Sequence, residues 1–116
     1  MKPTLIALLA ICFCIGGCGD KDKALPKDFE SLKALAEKGD ARAQHNLGNS
    51  YYYGRGVPVD KKETVKWYRK AADQGYAEAQ YNLGVMYNKG EGVQKDDKEA
   101  VKWYRKAAEQ GLADAQ

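Results

Sequence analysis

The sequence predicts an all-α protein, an α/α solenoid of helix-turn-helix repeats with about two full repeats and one preceding helix. The first observation is a period of 36 residues, since KETVKWYRKAA at 62–72 returns as KEAVKWYRKAA at 98–108. The second is that glycines such as Gly54 and Gly90 recur with the same period. Such a period marks one supersecondary unit that buries its apolar face only by stacking on its neighbours. The chain therefore offers surfaces, which favours binding over catalysis.

The first helix of each repeat is predicted from apolar residues with helical spacing. In the unit near 41–75, Leu47 and Tyr51 lie one turn apart on one face. Gly48, on the same side, leaves room for a neighbouring helix to approach closely. Gly54 then stands where a helix C-terminus favours a left-handed residue. The unit near 77–111 repeats these positions as Leu83, Gly84, Tyr87 and Gly90.

The second helix of each repeat is predicted to begin at an aspartate. Asp60 is followed three residues later by Glu63, and Asp96 and Glu99 repeat the arrangement. In a capping box of this kind the first side chain accepts hydrogen bonds from free backbone N–H groups, while the glutamate reaches back to the cap. The apolar stripe of this helix is Val65, Tyr68 and Ala72 in one copy, and Val101, Tyr104 and Ala108 in the other.

One further helix is predicted before the first repeat, over 28–38, with an apolar stripe that includes Leu32. At the other end, residues 113–116 match 77–80, which indicates a truncated third unit. The repeat domain is therefore assigned to 27–116. Solenoids usually finish with a polar capping element. This end thus indicates either a fragment of a longer repeat protein or an end face that meets a partner.

Residues 1–17 have the layout of a lipoprotein signal peptide. An apolar run of eleven residues at 5–15 follows Lys2. It is too short to span a bilayer of about 30 Å. The stretch Ile15-Gly16-Gly17-Cys18 resembles the lipobox of bacterial lipoproteins, whose cysteine thiol receives diacylglycerol. Cys18 is therefore the predicted lipidation site, and an ordinary cleaved signal or an uncleaved anchor are the alternatives.

Residues 18–26 comprise the lipidated cysteine and a polar tether, which predicts a lipid-anchored protein on the periplasmic side of the cell envelope. Gly19 follows Cys18, so the aspartate that marks inner-membrane retention in many lipoproteins is missing at that place. The outer membrane is slightly favoured for this reason.

Cysteine usage and charge exclude several classes of function. All three cysteines lie at or before Cys18, so the repeats can form no disulfide and no thiolate metal site. The chain has 19 basic and 16 acidic side chains with the two signs interspersed. That balance leaves no footprint for a nucleic-acid partner.

An inventory of reactive side chains gives no catalytic residue. Ser31 and Ser50 follow the signal segment, and neither has a lysine three residues later, as the serine-lysine pair of β-lactam chemistry requires. His45 is the one histidine and cannot hold a metal without further ligands. We therefore expect no enzyme activity, no metal, no cofactor and no small-molecule substrate.

The order of alanines, LG, tyrosine, GxGV, aspartate and WY from Ala77 to Gly111 strongly resembles the Sel-1-like repeat, a relative of the tetratricopeptide repeat. This resemblance implies an α/α solenoid that acts as an adaptor in protein complexes. It also implies roles such as scaffold or immunity protein of the envelope, the latter neutralising periplasmic toxins. A cysteine-rich branch is linked to β-lactam binding and hydrolysis, so a related periplasmic enzyme is the alternative. The repeats here lack cysteine, unlike that branch.

Positions at which the two repeats differ predict a partner surface. Their second helices are nearly identical, with three differences in sixteen positions between 60–75 and 96–111, whereas their first helices differ more. In repeats of this kind the first helices line the concave side, where aromatic side chains provide contact area at low entropy cost. Drift on a solvated face is the alternative. The predicted partner-binding residues are His45, Asn49, Tyr52, Tyr81, Val85 and Asn88.

Overall fold

A computed structural model describes residues 28–111, and every regular element in that range is an α-helix. Each helix packs on the next one along the chain. The first is the helix predicted before the repeats, and the other four form two helix pairs, which confirms the all-α solenoid. The helices are α1 (Phe29–Glu37), α2 (Ala41–Tyr53), α3 (Lys61–Asp73), α4 (Ala77–Lys89) and α5 (Asp97–Glu109).

The predicted signal segment at 1–17, Cys18 with its tether, and the truncated unit at 113–116 lie outside the described residues. Among the five helices that the structure describes, none is both long and apolar enough to cross a membrane.

Aspartate caps begin the second helix of both repeats, as the sequence predicts. Oδ1 of Asp60 accepts from the backbone N–H groups of Lys62 and Glu63, each at 3.1 Å. Asp96 caps α5 in the same way, with distances of 3.0 and 3.1 Å. These bonds satisfy N–H groups that the first turn of a helix cannot pair internally.

The reciprocal half of the predicted capping box is wrong. The backbone N–H of Asp60 donates to the Tyr51 carbonyl at 2.9 Å, so this N–H needs no side-chain acceptor. Glu63 instead accepts a hydrogen bond from Nε1 of Trp67, one turn along α3, at 3.2 Å. The backbone of the preceding helix has therefore replaced the glutamate as the partner of the cap.

Glycine in the first helix sets the distance to the second. A Cβ built on Gly48 would lie 2.6 Å from Cδ1 of Tyr68, and one built on Gly84 would lie 2.8 Å from Cδ1 of Tyr104. Real side chains do not tolerate such contacts, so each tyrosine ring occupies space that only glycine leaves free. This confirms the predicted close approach of the two helices within a repeat.

Candidate partner-binding groove

A groove of about 250 Å³ opens between the first helices of the two repeats, α2 and α4. Tyrosine and asparagine side chains form most of its wall, and one side chain of α3 closes its floor. We call this cavity the inter-repeat groove. Its lining residues are Asn49, Tyr52, Tyr53, Tyr68, Tyr81, Asn82, Val85, Met86 and Lys89.

The groove brings together four of the six predicted partner-binding residues, namely Asn49, Tyr52, Tyr81 and Val85. They lie on two different helices and meet because successive repeats place α2 beside α4. His45 and Asn88 are not among the lining residues. Sequence comparison of the repeats missed Tyr68, since that residue is the same in both copies and was interpreted as part of the core.

Tyr68 fixes the floor of the groove. Its hydroxyl donates a hydrogen bond to Oδ1 of Asn49. Burial raises the pKa of Tyr68 well above its ordinary value, because the phenolate would lose its hydration. The hydroxyl therefore stays protonated and holds the Asn49 amide in one orientation.

Tyr52 joins the two repeats at one end of the groove. Its hydroxyl donates to Oε1 of Glu91 at 3.0 Å, and Nζ of Lys61 lies 3.4 Å from Oε2 of the same carboxylate. Desolvation opposes ionisation of Glu91, but the hydrogen bonds from Tyr52 and Lys61 outweigh it and lower the pKa of that carboxyl. The first repeat carries Arg55 where the second carries Glu91, so this difference between repeats serves a contact within the chain.

His45 is buried beneath the second repeat, with 8% of its surface exposed. Its Nε2 lies 2.9 Å from Nδ2 of Asn82, so the ring accepts the amide hydrogen and carries its own proton on Nδ1. The ring packs between Tyr68 and Tyr76, with centroids 5.6 and 5.3 Å away. Burial lowers the pKa of His45, although Glu78 partly opposes this shift. The histidine therefore contacts the adjacent repeat and offers a partner little surface.

Asn88 lies on the exposed side of α4, beyond the groove. Its Nδ2 is 3.5 Å from Oδ1 of Asp97, which also receives Nζ of Lys95 at 2.8 Å. Both Asn88 and Asp97 differ from their counterparts in the first repeat, Tyr52 and Lys61. The position that joins two repeats in the first copy thus makes a local polar contact in the second.

The stacked helix pairs and their groove define the α/α solenoid class of interaction domain. A family model for the Sel1 repeat matches residues 41–76 and 77–112. The chain belongs to the Sel1 repeat family. Sel1 repeats generally mediate protein–protein interaction, which supports a protein partner for this chain. Members of the family are generally non-catalytic scaffolds, and none of the comparisons supports the enzymatic alternative.

Three solved structures are similar to this chain. The protective antigen c5321 of uropathogenic Escherichia coli is 47% identical with a TM-score of 0.74, over 75% of this chain and 19% of that one. A Sel1 repeat protein of Oxalobacter formigenes is 48% identical with a TM-score of 0.73, over 74% and 65%. Helicobacter pylori cysteine rich protein B is 31% identical with a TM-score of 0.72, over 75% and 65%. These matches independently support the solenoid fold.

Two curated relatives share a shorter segment. An ERAD-associated E3 ubiquitin-protein ligase component of Arabidopsis thaliana, HRD3B, is 39% identical over 54 residues, which is 46% of this chain and 8% of that protein. The putative sel1-like repeat-containing protein L18 of Acanthamoeba polyphaga mimivirus is 40% identical over 43 residues, or 37% and 7%. The chain thus spans less than a tenth of either relative.

Within residues 28–111, no group of three or more histidine, cysteine or acidic side chains is arranged to hold a metal ion. The groove itself presents hydroxyl, amide and aromatic groups and the single ammonium of Lys89. Such groups can donate to and accept from a polypeptide backbone and pack against its side chains.

Proposed function

We propose that this protein is an adaptor of the cell envelope, anchored to the membrane by lipid on Cys18, that binds a protein partner in the inter-repeat groove. The observation that carries the proposal is the groove itself, in which residues from both repeats converge. Tyrosine supplies large contact area with few rotatable bonds, and the asparagine amides offer both donors and acceptors. A partner segment that fills the groove would be gripped by two repeats at once.

The lipid anchor is supported by the sequence around Cys18, where Gly16 and Gly17 precede the thiol and the polar residues 19–26 follow it. Lipid on that cysteine would keep the solenoid at the periplasmic side of a membrane, with the outer membrane slightly favoured. An adaptor held there can act as a scaffold, or as an immunity protein that covers a toxin as it arrives.

The groove is tested by a matched pair of substitutions on α4, Val85→Lys inside the groove and Asn88→Lys outside it. Each adds one positive charge to a helix position that is not fully buried. We expect Val85→Lys to lose the partner in a pull-down from envelope extracts, while Asn88→Lys retains it. Equal retention of every partner by both folded variants would contradict the groove as the binding site.

The anchor is tested separately by Cys18→Ser. We expect the variant to lose palmitate labelling and to leave the membrane fraction, because the thiol is the atom that receives the lipid. Retention in the membrane without label would instead support an uncleaved signal anchor.

A further inference from the structure

One stripe of α5 is more exposed than the same stripe of α3. Val101 is 50% exposed, whereas its counterpart Val65 is 7% exposed. Every other residue of the stripe is also more exposed than the matching residue of α3. We call this stripe the outer face of α5, and it consists of Val101, Tyr104, Arg105 and Ala108.

The matching face of α3 is covered by α4, and two polar contacts mark how it is held. Nε2 of Gln80 donates to the carbonyl of Ala72 at 3.1 Å. Seven residues later, the hydroxyl of Tyr87 accepts from the guanidinium of Arg69. Residues seven apart lie two turns apart on one face of a helix, so α4 grips α3 at both ends of its contact.

The same arrangement occurs between α1 and α2. Nε2 of Gln44 donates to the carbonyl of Ala36 at 3.0 Å. The ring of Tyr51, again seven residues later, meets Phe29 edge to face with centroids 5.5 Å apart. Both contacts are thus made by a helix with glutamine and tyrosine seven residues apart, which we call a Gln–Tyr helix.

We propose that the outer face of α5 binds a Gln–Tyr helix from a second Sel1 repeat protein. The acceptor for the glutamine is in place, since the Ala108 carbonyl receives the backbone N–H of Gly111 at 2.8 Å just as the Ala72 carbonyl receives that of Gly75 at 2.9 Å. The donor for the tyrosine is Arg105, which corresponds to Arg69. Val101 and Tyr104 supply the apolar area between these two contacts.

A second copy of this chain fits the face less well. Both Gln–Tyr helices within residues 28–111, α2 and α4, already cover α1 and α3. Pairing of α5 with α5 would bring the Arg105 side chains of the two copies towards each other, and like charges across an interface are unfavourable. The proposal shares with the adaptor function only the premise of a protein partner, because it concerns a surface separate from the groove.

The test uses a blocked peptide of residues 76–90, which contains a Gln–Tyr helix, titrated into the ¹⁵N-labelled full chain. We expect backbone chemical-shift changes centred on Val101, Arg105 and Ala108. A control peptide with Gln80→Ala and Tyr87→Ala removes both polar grips, and we expect it to bind about tenfold more weakly or less. Absence of shifts at millimolar peptide, or shifts centred on the groove, would overturn the proposal.

A matched pair of protein variants isolates the face. Val101 and Val59 are both largely exposed, at 50% and 56%, so Val101→Glu and Val59→Glu should both fold. We expect Val101→Glu to weaken peptide binding about tenfold, which corresponds to about 1.4 kcal/mol, and Val59→Glu to leave it unchanged. Self-association that Val101→Glu abolishes would assign the face to a second copy and refute the proposal. Val85→Lys should still bind the peptide, which separates this test from that of the groove.

Discussion

Helices α3 and α5 compare one sequence in two surroundings. They differ at three of thirteen positions. On the side facing their own repeat they are buried alike, since Trp67 and Trp103 are both in the core. On the other side α3 packs against α4, while Val101 of α5 remains half exposed. The difference shows that in a solenoid a residue's burial depends on the next repeat as much as on the residue itself.

The comparison also separates two kinds of contact in each repeat. Contacts within a helix pair, such as the tyrosine ring against glycine, are the same in both copies. Contacts between successive pairs, such as Tyr52 with Glu91 and His45 with Asn82, have no repeat of themselves in the chain. Substitutions can therefore measure the two kinds separately.

The largest effect is expected at the positions where the two repeats do not differ. Leu47 and Leu83 are wholly buried, so Leu47→Ala and Leu83→Ala should each lower the free energy of unfolding by about 2–5 kcal/mol in urea denaturation. Similar costs in both would show that the core within each pair is independent of position in the solenoid. A cost near zero for either would contradict the helical register described here.

A smaller and unequal effect is expected on the side that faces the next repeat. Val65→Ala removes two buried carbon atoms and should cost about 1–2 kcal/mol, at ~0.8 kcal/mol for each. Val101→Ala should cost less than about 0.5 kcal/mol, as for most surface substitutions. Both can be measured by the same denaturation. Equal costs would mean that something covers Val101 in solution.

The aspartate caps should restore equality at about 1 kcal/mol. Asp60→Ala and Asp96→Ala each remove two hydrogen bonds to backbone N–H groups, and neither cap depends on a neighbouring repeat. Asn substitutions at the same positions serve as controls, because they retain a side-chain acceptor. A clear difference between the two alanine variants would show that α5 frays more readily than α3.

The smallest effect concerns pH. His45 has a pKa below its ordinary value of 6.5 in the folded protein because it is buried, so the unfolded chain binds the proton more readily. Stability should therefore fall as the pH falls through about 6.5, until the folded form also takes up the proton. His45→Gln removes this titration and can still accept from Asn82. If both proteins show the same dependence from pH 7.5 to 5.5, His45 does not supply it.

Most of the fold could be predicted from the sequence because it depends on local rules. The period, the aspartate caps and the glycines at helix ends each act within one repeat, so their meaning does not depend on distant residues. Gly54 and Gly90 confirm this, since both adopt left-handed backbone, with φ of 72° and 70°. The glutamate of the capping box failed because a carbonyl of the preceding helix reached the cap first.

The groove depended on packing between repeats, which sequence differences report only indirectly. Asn49 and Val85 were selected because the copies differ there, and the structure brings them together. His45 differs as well, yet it is buried against Asn82, and Tyr52 is engaged with Glu91. Divergence between repeats marks any position whose surroundings differ, whether these are another repeat or a partner.

By itself, the sequence determined the helix boundaries, the core within each pair and the close approach at Gly48 and Gly84, because backbone conformation and side-chain size act at short range. Only the tertiary structure decided which copy of a repeated residue is covered. Val65 and Val101 have the same neighbours in sequence, and what separates them is whether a helix lies across the chain from them. Burial is a property of the assembled surfaces, and no repeat encodes its own neighbour.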